Sequence, residues 1–417
     1  MKIAVVGAGI SGLTAACVLS RRHDVTVFEA ADRIGGHTHT VTVRENGQSL
    51  AIDTGFIVFN EQNYPNLCRL FDQFDVGSRE SNMSFSVHRE DSALEYNGSS
   101  VNTLLSQRRN AVSPRFWSML ADILRFHRVA QKAIDDGLDD YTTVETFARA
   151  TKFGDAFVEN YLLPLGASLW SCNAKRFRQF PMRFVIEFLQ NHKMLQVNGR
   201  PQWKTVVGGS EKYLKRITQE FRDRIQLNSV VQSVIRSGVR VDITTRKGDT
   251  HTFDEVILAT HADQSLTVMN EKDEQETAIL THFPYQPNDV VLHTDTNLMP
   301  QNRRAWAGWN YRIPAVTTNA VTVTYNMNIL QGLDSERTYC VSLNQSNRVQ
   351  SHKILKRIRY SHPLFIPGRS EAQALHSEMI RRRGVSYCGA YWGYGFHEDG
   401  VVSALRVCES FGMGLDS

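Results

Sequence analysis

Glycines 7, 9 and 12 stand in G-x-G-x-x-G spacing, and 17 residues beyond Gly12 a carboxylate, Glu29, closes a short apolar run. Those residue types at that spacing suit a dinucleotide. The first glycine permits a tight turn, the second lets backbone approach a pyrophosphate, and the third lets a helix pack closely on a strand. The carboxylate can accept both hydroxyls of an adenosine ribose. A second pair, Gly35 and Gly36, follows Glu29 by six residues in VFEAADRIGGHT (27–38). It is not part of the usual dinucleotide-binding pattern.

The elements that must position these residues are legible around them. IAVV (3–6) predicts a buried strand, and the spacing of Leu13, Ala16 and Leu19 predicts a helix opening on the glycines. The start of that helix turns unpaired N–H groups toward phosphate. DVTVFE (24–29) predicts the second strand. In an NAD dehydrogenase another crossover would follow; here THTVTV (38–43), a turn at Glu45-Asn46-Gly47 and SLAIDTGF (49–56) predict a hairpin.

EAADRIGGHT (29–38) resembles the second signature of the flavin amine oxidase, phytoene desaturase and protoporphyrinogen oxidase superfamily. The resemblance implies FAD, with Gly7, Gly9, Ile10, Ser11, Gly12, Glu29, Ala30, Arg33, Gly35, Gly36, His37 and Thr38 along its adenosine, pyrophosphate and ribityl parts. IDTGF (52–56) resembles the stretch that approaches the flavin ring, which adds Gly55, Phe56 and Ile57. WKTVVGGSEKYLKRI (203–217), IQLNSVVQSV (225–234) and DEVILAT (254–260) resemble the return to the flavin domain, with Val231 against adenine. YCGAYWGYGFHEDGVVSALRVC (387–408) resembles the last flavin signature, bringing Gly389, Asp399, Gly400 and Val401 and a helix whose N–H groups face the ring's O2 and N1 edge. Covalent members carry a cysteine shortly before that block. SHPLFIPGRSEAQ (361–373) has none, so the FAD is expected to be noncovalent.

The implied fold is α/β: a Rossmann-like FAD-binding domain of glutathione-reductase type, interleaved with an α+β substrate domain. Residues 1–75, 205–262 and 380–417 form the first, and 76–204 and 263–379 the second. The first insert predicts helices, at 116–134 and 153–170; the second predicts strands, in a six-stranded sheet roofing the flavin. The apolar richness of 153–200 predicts a hydrophobic tunnel.

DTGFIVFN (53–60), YPN (64–66), LPLGASLWS (163–171), RPQWKTVVGGS (200–210) and GAYWGYGFHEDG (389–400) resemble one bacterial branch of predicted NAD/FAD-binding proteins. Its genes neighbour cyclopropane-fatty-acid-synthase-type methyltransferases, and relatives take part in furan or methyl-branched fatty acid formation. Three departures argue against amine oxidation. Ala31 and His37 stand where amine-oxidising members carry arginine. The strand NDVVLHTD (288–295) has Leu292 or His293 where they carry a lysine near flavin N5. Ala390 and Tyr391, not an acid, follow Gly389. The expected activity is hydride transfer from an unsaturated or methylated fatty acyl lipid to flavin N5. An amine oxidase and a redox-neutral fatty acid isomerase are the alternatives. Candidate catalytic residues are His397, Trp392 and His293. Trp392 with Tyr394, Trp306 and Trp309 could frame the ring, or simply fill core.

Composition sets bounds on this. A chain of 417 residues, 41% hydrophobic, is neither disordered nor fibrous. A net charge of +4 is too weak for a nucleic-acid binder. Six cysteines without a C-x-x-C spacing suit neither zinc nor a disulfide framework, and fit the cytoplasm. His37 and His39 have no third ligand near them, so no metal is expected. No run of 18 uncharged apolar residues occurs, which excludes a membrane-spanning helix. Basic clusters at Lys175, Arg176, Arg178 and Arg183, at 353–359 and at 381–383 suit peripheral contact with anionic lipid. Oligomeric state is left open.

Overall fold

Four buried apolar residues in a row give the strand Lys2–Val6 two faces to cover, which suits the centre of a parallel sheet. In the computed structural model, which describes residues 1–196, 199–316 and 320–417, that is its place. Asp24–Phe28 and then Ile225–Gln226 lie on one side, and Glu255–Leu258 and then Val385–Tyr387 on the other, all parallel. The helix Ile10–Leu19 is buried at every position. It packs between this sheet and the last helix, His397–Glu409. Three carboxyl ends of this sheet, after Val6, Phe28 and Tyr387, therefore open on glycine-bearing loops, where ligands bind in such folds.

The hairpin appears as Thr40–Glu45 paired with Gln48–Asp53. Val231–Ser237, Arg240–Thr245 and Thr250–Phe253 form a separate three-stranded antiparallel sheet.

A second large sheet has seven strands, one more than the sequence suggests. Its order is Ile354–Pro363, Tyr285–His293, Cys340–Leu343, Val323–Asn326, Trp309–Ile313, Phe85–Arg89 and Leu94–Asn97. The last two come from the first insert, which is therefore not all helical. Phe85–Arg89 joins parallel to Trp309–Ile313, a pairing between distant segments that no local pattern announces. The helices of that insert, led by Pro114–Asp135, pack an aromatic-rich core with Phe126, Phe157, Phe177, Phe180, Phe188 and Trp170. The 153–170 region is not one plain helix: Asp155–Phe157 and Leu163–Leu169 flank a π turn at Val158–Leu162. Pro164 has no N–H for the ladder, and the wider turn absorbs that break. Residues 197 and 198, inside the expected 153–200 tunnel segment, lie outside the described residues.

Candidate functional site

Three glycine blocks far apart in sequence meet at the first helix. Gly7 has φ +103°, and a Cβ there would lie 2.8 Å from the Ala259 carbonyl oxygen. A Cβ on Gly12 would lie 1.9 Å from the oxygen of Gly7. The double-glycine loop closes on this turn: the Gly35 N–H donates to the Ala8 carbonyl at 2.7 Å, and a Cβ on Gly36 would sit 3.3 Å from the Gly9 Cα. From the C-terminal block, Gly400 lies against the first helical turn, where a Cβ would meet Ile10 and Ser11 at 2.8 and 2.9 Å. Gly55 packs on the His37 carbonyl, 2.1 Å from a Cβ. Over Gly9, by contrast, a Cβ would meet nothing within 4 Å. The helix that Gly9 opens has no side-chain cap and no acid in its first turn. Open space over uncapped N–H groups fits the pyrophosphate of a dinucleotide.

Glu29 ends its strand with Oε2 accepting the Ala8 N–H and Oε1 the Ala31 N–H, both at 2.8 Å. Its carboxylate is thus fixed beside the glycine turn, while Ala30 next to it is exposed. Ser229 N–H donates to the Glu29 carbonyl, which brings the start of the Val231 strand to the same end. Val231 itself is buried in the cluster that holds Phe28. Arg33 donates to the carbonyls of Gly36 (2.8 Å) and Thr38 (3.0 Å), so it staples the loop from within.

At the other end, buried Thr38 hydrogen-bonds through Oγ1 to Tyr213 Oη (2.6 Å) and His397 Nε2 (3.0 Å). The His397 ring stacks on Phe56 at 3.8 Å. Burial pulls its pKa down to about 3. Asp399 accepts the Phe396 N–H at 2.8 Å, and burial pushes its carboxyl up to about 6. Val401 is wholly buried against the first helix, and Ile57 faces Leu292 and Tyr325. The Gly389 N–H donates to Ser403 Oγ.

A wall that sequence reasoning did not find adjoins His37. Its ring stacks on Tyr360 at 4.8 Å and meets the edge of His362 at 5.2 Å, and its Nε2 is buried without a partner. His261 lies 6.4 Å from His37 and stacks on Tyr285 at 4.1 Å. His39 Nδ1 lies 3.3 Å from Tyr360 Oη. Asn288 Nδ2 donates to His362 Nδ1 at 2.9 Å, which leaves the His362 proton on Nε2. Burial holds every one of these imidazoles below the usual range, His39 and His362 at about 4. They are neutral at pH 7. Among the described residues no group of three or more His, Cys, Asp or Glu side chains is placed to hold a metal.

The other catalytic candidates lie elsewhere. Along Tyr285–His293, Val290 and Leu292 face Ile57, whereas Val291 packs in a separate cluster on the opposite side. Strand alternation puts His293 with Val291, and Asn288 with Leu292. His293 is fully buried between Ser342 Oγ (2.8 Å) and the Asp295 N–H (3.0 Å). From this strand Asn288 reaches the wall at His362, and Tyr285 at His261. Trp392 stacks on His376 at 4.2 Å within another core cluster. Trp309 packs edge-on to Tyr325, and Trp306 binds the Pro300 carbonyl. With Tyr394 among the helices, these four aromatics do not converge.

Comparison with known proteins agrees with this geometry. The sequence model of a family described as flavin containing amine oxidoreductase matches residues 10–314. Tryptophan 2-monooxygenase of Allorhizobium ampelinum is 56% identical over 41 residues, 9% of this chain and only 6% of that protein. Cyclohexylamine oxidase from Brevibacterium oxydans shares the fold at TM-score 0.68 and 14% identity over 99% of both chains. A CLA-producing fatty acid isomerase from P. acnes does so at 0.68 and 15% over 98% of both. Wild-type putrescine oxidase bound to putrescine does so at 0.68 and 13% over 99% of both. No helix among the described residues is long and apolar enough to cross a membrane. The chain belongs to the flavin-containing amine oxidoreductase family, and is an FAD-dependent oxidoreductase of that family.

Proposed function

We propose that the protein removes hydride from an apolar acyl chain, unsaturated or methylated, with noncovalent FAD. The cofactor, when bound, supplies the hydride acceptor. The chain's residues supply the cradle. Glu29, Ala30 and Val231 hold the adenosine end, and Gly7, Gly9, Ile10, Ser11, Gly12, Arg33, Gly35 and Gly36 surround the pyrophosphate. His37, Thr38, Gly55, Phe56, Ile57, Gly389, Asp399, Gly400 and Val401 border the ring end. Cys340 is buried at the start of its strand with its thiol pushed up to about 12, which disfavours the thiolate a covalent link needs.

The observation that carries the acyl reading is an aromatic layer leading up to His397. Phe365 stacks on Phe184 at 4.2 Å, Phe184 meets Tyr394 at 5.1 Å, and Phe188 stacks on Phe396 at 5.1 Å. Such a packed apolar layer excludes water, and a ligand pocket beside it suits a hydrocarbon. Hydride removal from a C–H bond depends on position more than on a charged base. His397, neutral down to about pH 3, is no proton acceptor at pH 7; it positions Thr38. Asp399 accepts the Phe396 N–H at the start of the last helix.

The test is anaerobic spectrophotometry of the yellow holoprotein. Unsaturated or methylated acyl lipids should bleach the flavin band, and benzylamine and polyamines should not. Bleaching by amines with no response to lipid would reverse the assignment. Conversion of an unsaturated lipid to a positional isomer without bleaching would make the protein an isomerase.

A further inference from the structure

Of the basic clusters, five members are paired with carboxylates. Arg178 pairs with Glu159, Arg183 with Glu187, Lys353 with Asp295, Arg381 with Glu255 and Arg382 with Asp273. Lys356, Arg357, Arg359 and Arg383 form no ion pair among the described residues either, but Lys175 and Arg176 also line a cavity. Both are exposed, and among the described residues neither has a carboxylate within ion-pair distance. They stand at a cavity of about 610 Å³ whose lining includes Phe180, Gln286, Leu364 and Phe365. That volume lies within the range of roughly 300–1,000 Å³ usual for small-molecule sites.

The lining has two chemistries. Two cations without a carboxylate partner belong to it. Phe180, Leu364 and Phe365 are buried apolar walls. Gln286 has a buried Oε1 without a partner, and a terminal amide can present either its oxygen or its N–H₂ donors. Residues of the cavity's lining also adjoin the site described above. Gln286 is the cross-strand neighbour of His362, and Phe180 contacts Phe365 at 5.5 Å, which leads through Phe184 to Tyr394.

We propose that this cavity binds the anionic head of an acyl lipid, carboxylate or phosphate, between Lys175 and Arg176. The chain then runs over Phe180 and Phe365 toward Tyr394. This rests on the acyl-chain reading and adds to it a head group, a direction and the residues that read the charge. A neutral head would leave both cations without a partner at the mouth of an apolar cavity. A free fatty acid and a phospholipid share the required chemistry, an oxyanion on a hydrocarbon chain.

Isothermal titration calorimetry on the FAD-loaded protein tests this with three ligands of one chain length: laurate, dodecyl phosphate and dodecanol. At least one anion should bind about tenfold or more tightly than dodecanol, as charge-assisted bonds from two cations require. Preference for laurate would identify a free fatty acid, and preference for dodecyl phosphate a phospholipid head. In the Lys175→Gln/Arg176→Gln protein the preference should vanish while dodecanol affinity stays unchanged. Both side chains are exposed, so this variant keeps its fold, and unchanged flavin content and Tm verify it. Lys175→Glu/Arg176→Glu should go further and disfavour both anions. Equal binding of all three ligands, or an anion preference that survives these substitutions, overturns the proposal. Calorimetry does not depend on turnover. Charge-dependent binding without flavin reduction by any acyl lipid would leave the head site standing and remove the oxidoreductase reading.

Discussion

At Gly9 and at Gly12 the same added methyl group meets very different surroundings, and the two positions separate folding from cofactor binding. Gly9 has φ −77° and free space around a Cβ, so Gly9→Ala should leave the apoprotein within about 0.5 kcal/mol of its stability. The methyl group then occupies the space proposed for pyrophosphate, and FAD affinity should fall about tenfold or more. Gly12→Ala drives a Cβ into the Gly7 carbonyl and should destabilise the protein itself, by about 1–3 kcal/mol. Thermal melts beside FAD titrations of each apoprotein check both; equal behaviour of the two variants would show that the loop is misassigned. Glu29→Ala removes the acceptor for two loop N–H groups and for the ribose, and FAD binding should weaken by about 1.5–3 kcal/mol. Unchanged affinity in the same titration would refute that role.

At the scale of elements, the first strand, helix and second strand were legible because glycine spacing, apolar runs and Glu29 all lie within 30 residues and agree. The hairpin was legible for the same reason, its Asn46-Gly47 turn lying between alternating segments. The imidazole wall was not, since His37, His261, Asn288, Tyr360 and His362 come from four separated stretches. On the strand Tyr285–His293 the sequence left Leu292 and His293 both open, because both faces are buried from Val290 to His293 and alternation gives no sign of which one faces Ile57. The wall has a measurable consequence. An unfolded histidine takes a proton near pH 6.5, whereas burial keeps His39 and His362 neutral to about 4, His397 to about 3, and lowers His37 and His261 as well. Below about pH 6.5 the unfolded chain therefore binds more protons, and stability falls with pH toward 4. His192, His293 and His376 act in the same sense. Asp53 and Asp399, raised to about 6 by burial, act oppositely between about 6 and 4, but two carboxyls do not offset that many imidazoles. The Tm of the apoprotein should be flat between about pH 7 and 8 and drop below 6.5. A Tm that rises on acidification would contradict this.

The whole molecule sets the glycine cradle of one sheet beside an aromatic core packed by helices and an imidazole wall completed by Tyr360 and His362 of the other sheet. The family resemblance made the first half readable, while the second, with two strands drawn from a helical insert, depended on long-range pairing. The central claim is that the three glycine blocks together form a noncovalent FAD site. Its most direct measurement is the visible spectrum of the purified protein before and after acid precipitation, with FAD added first if the protein emerges unloaded. The account predicts a yellow protein that releases about one FAD per chain into the supernatant, because no reactive thiol reaches the cradle. A folded, colourless chain that takes up no added FAD would contradict it.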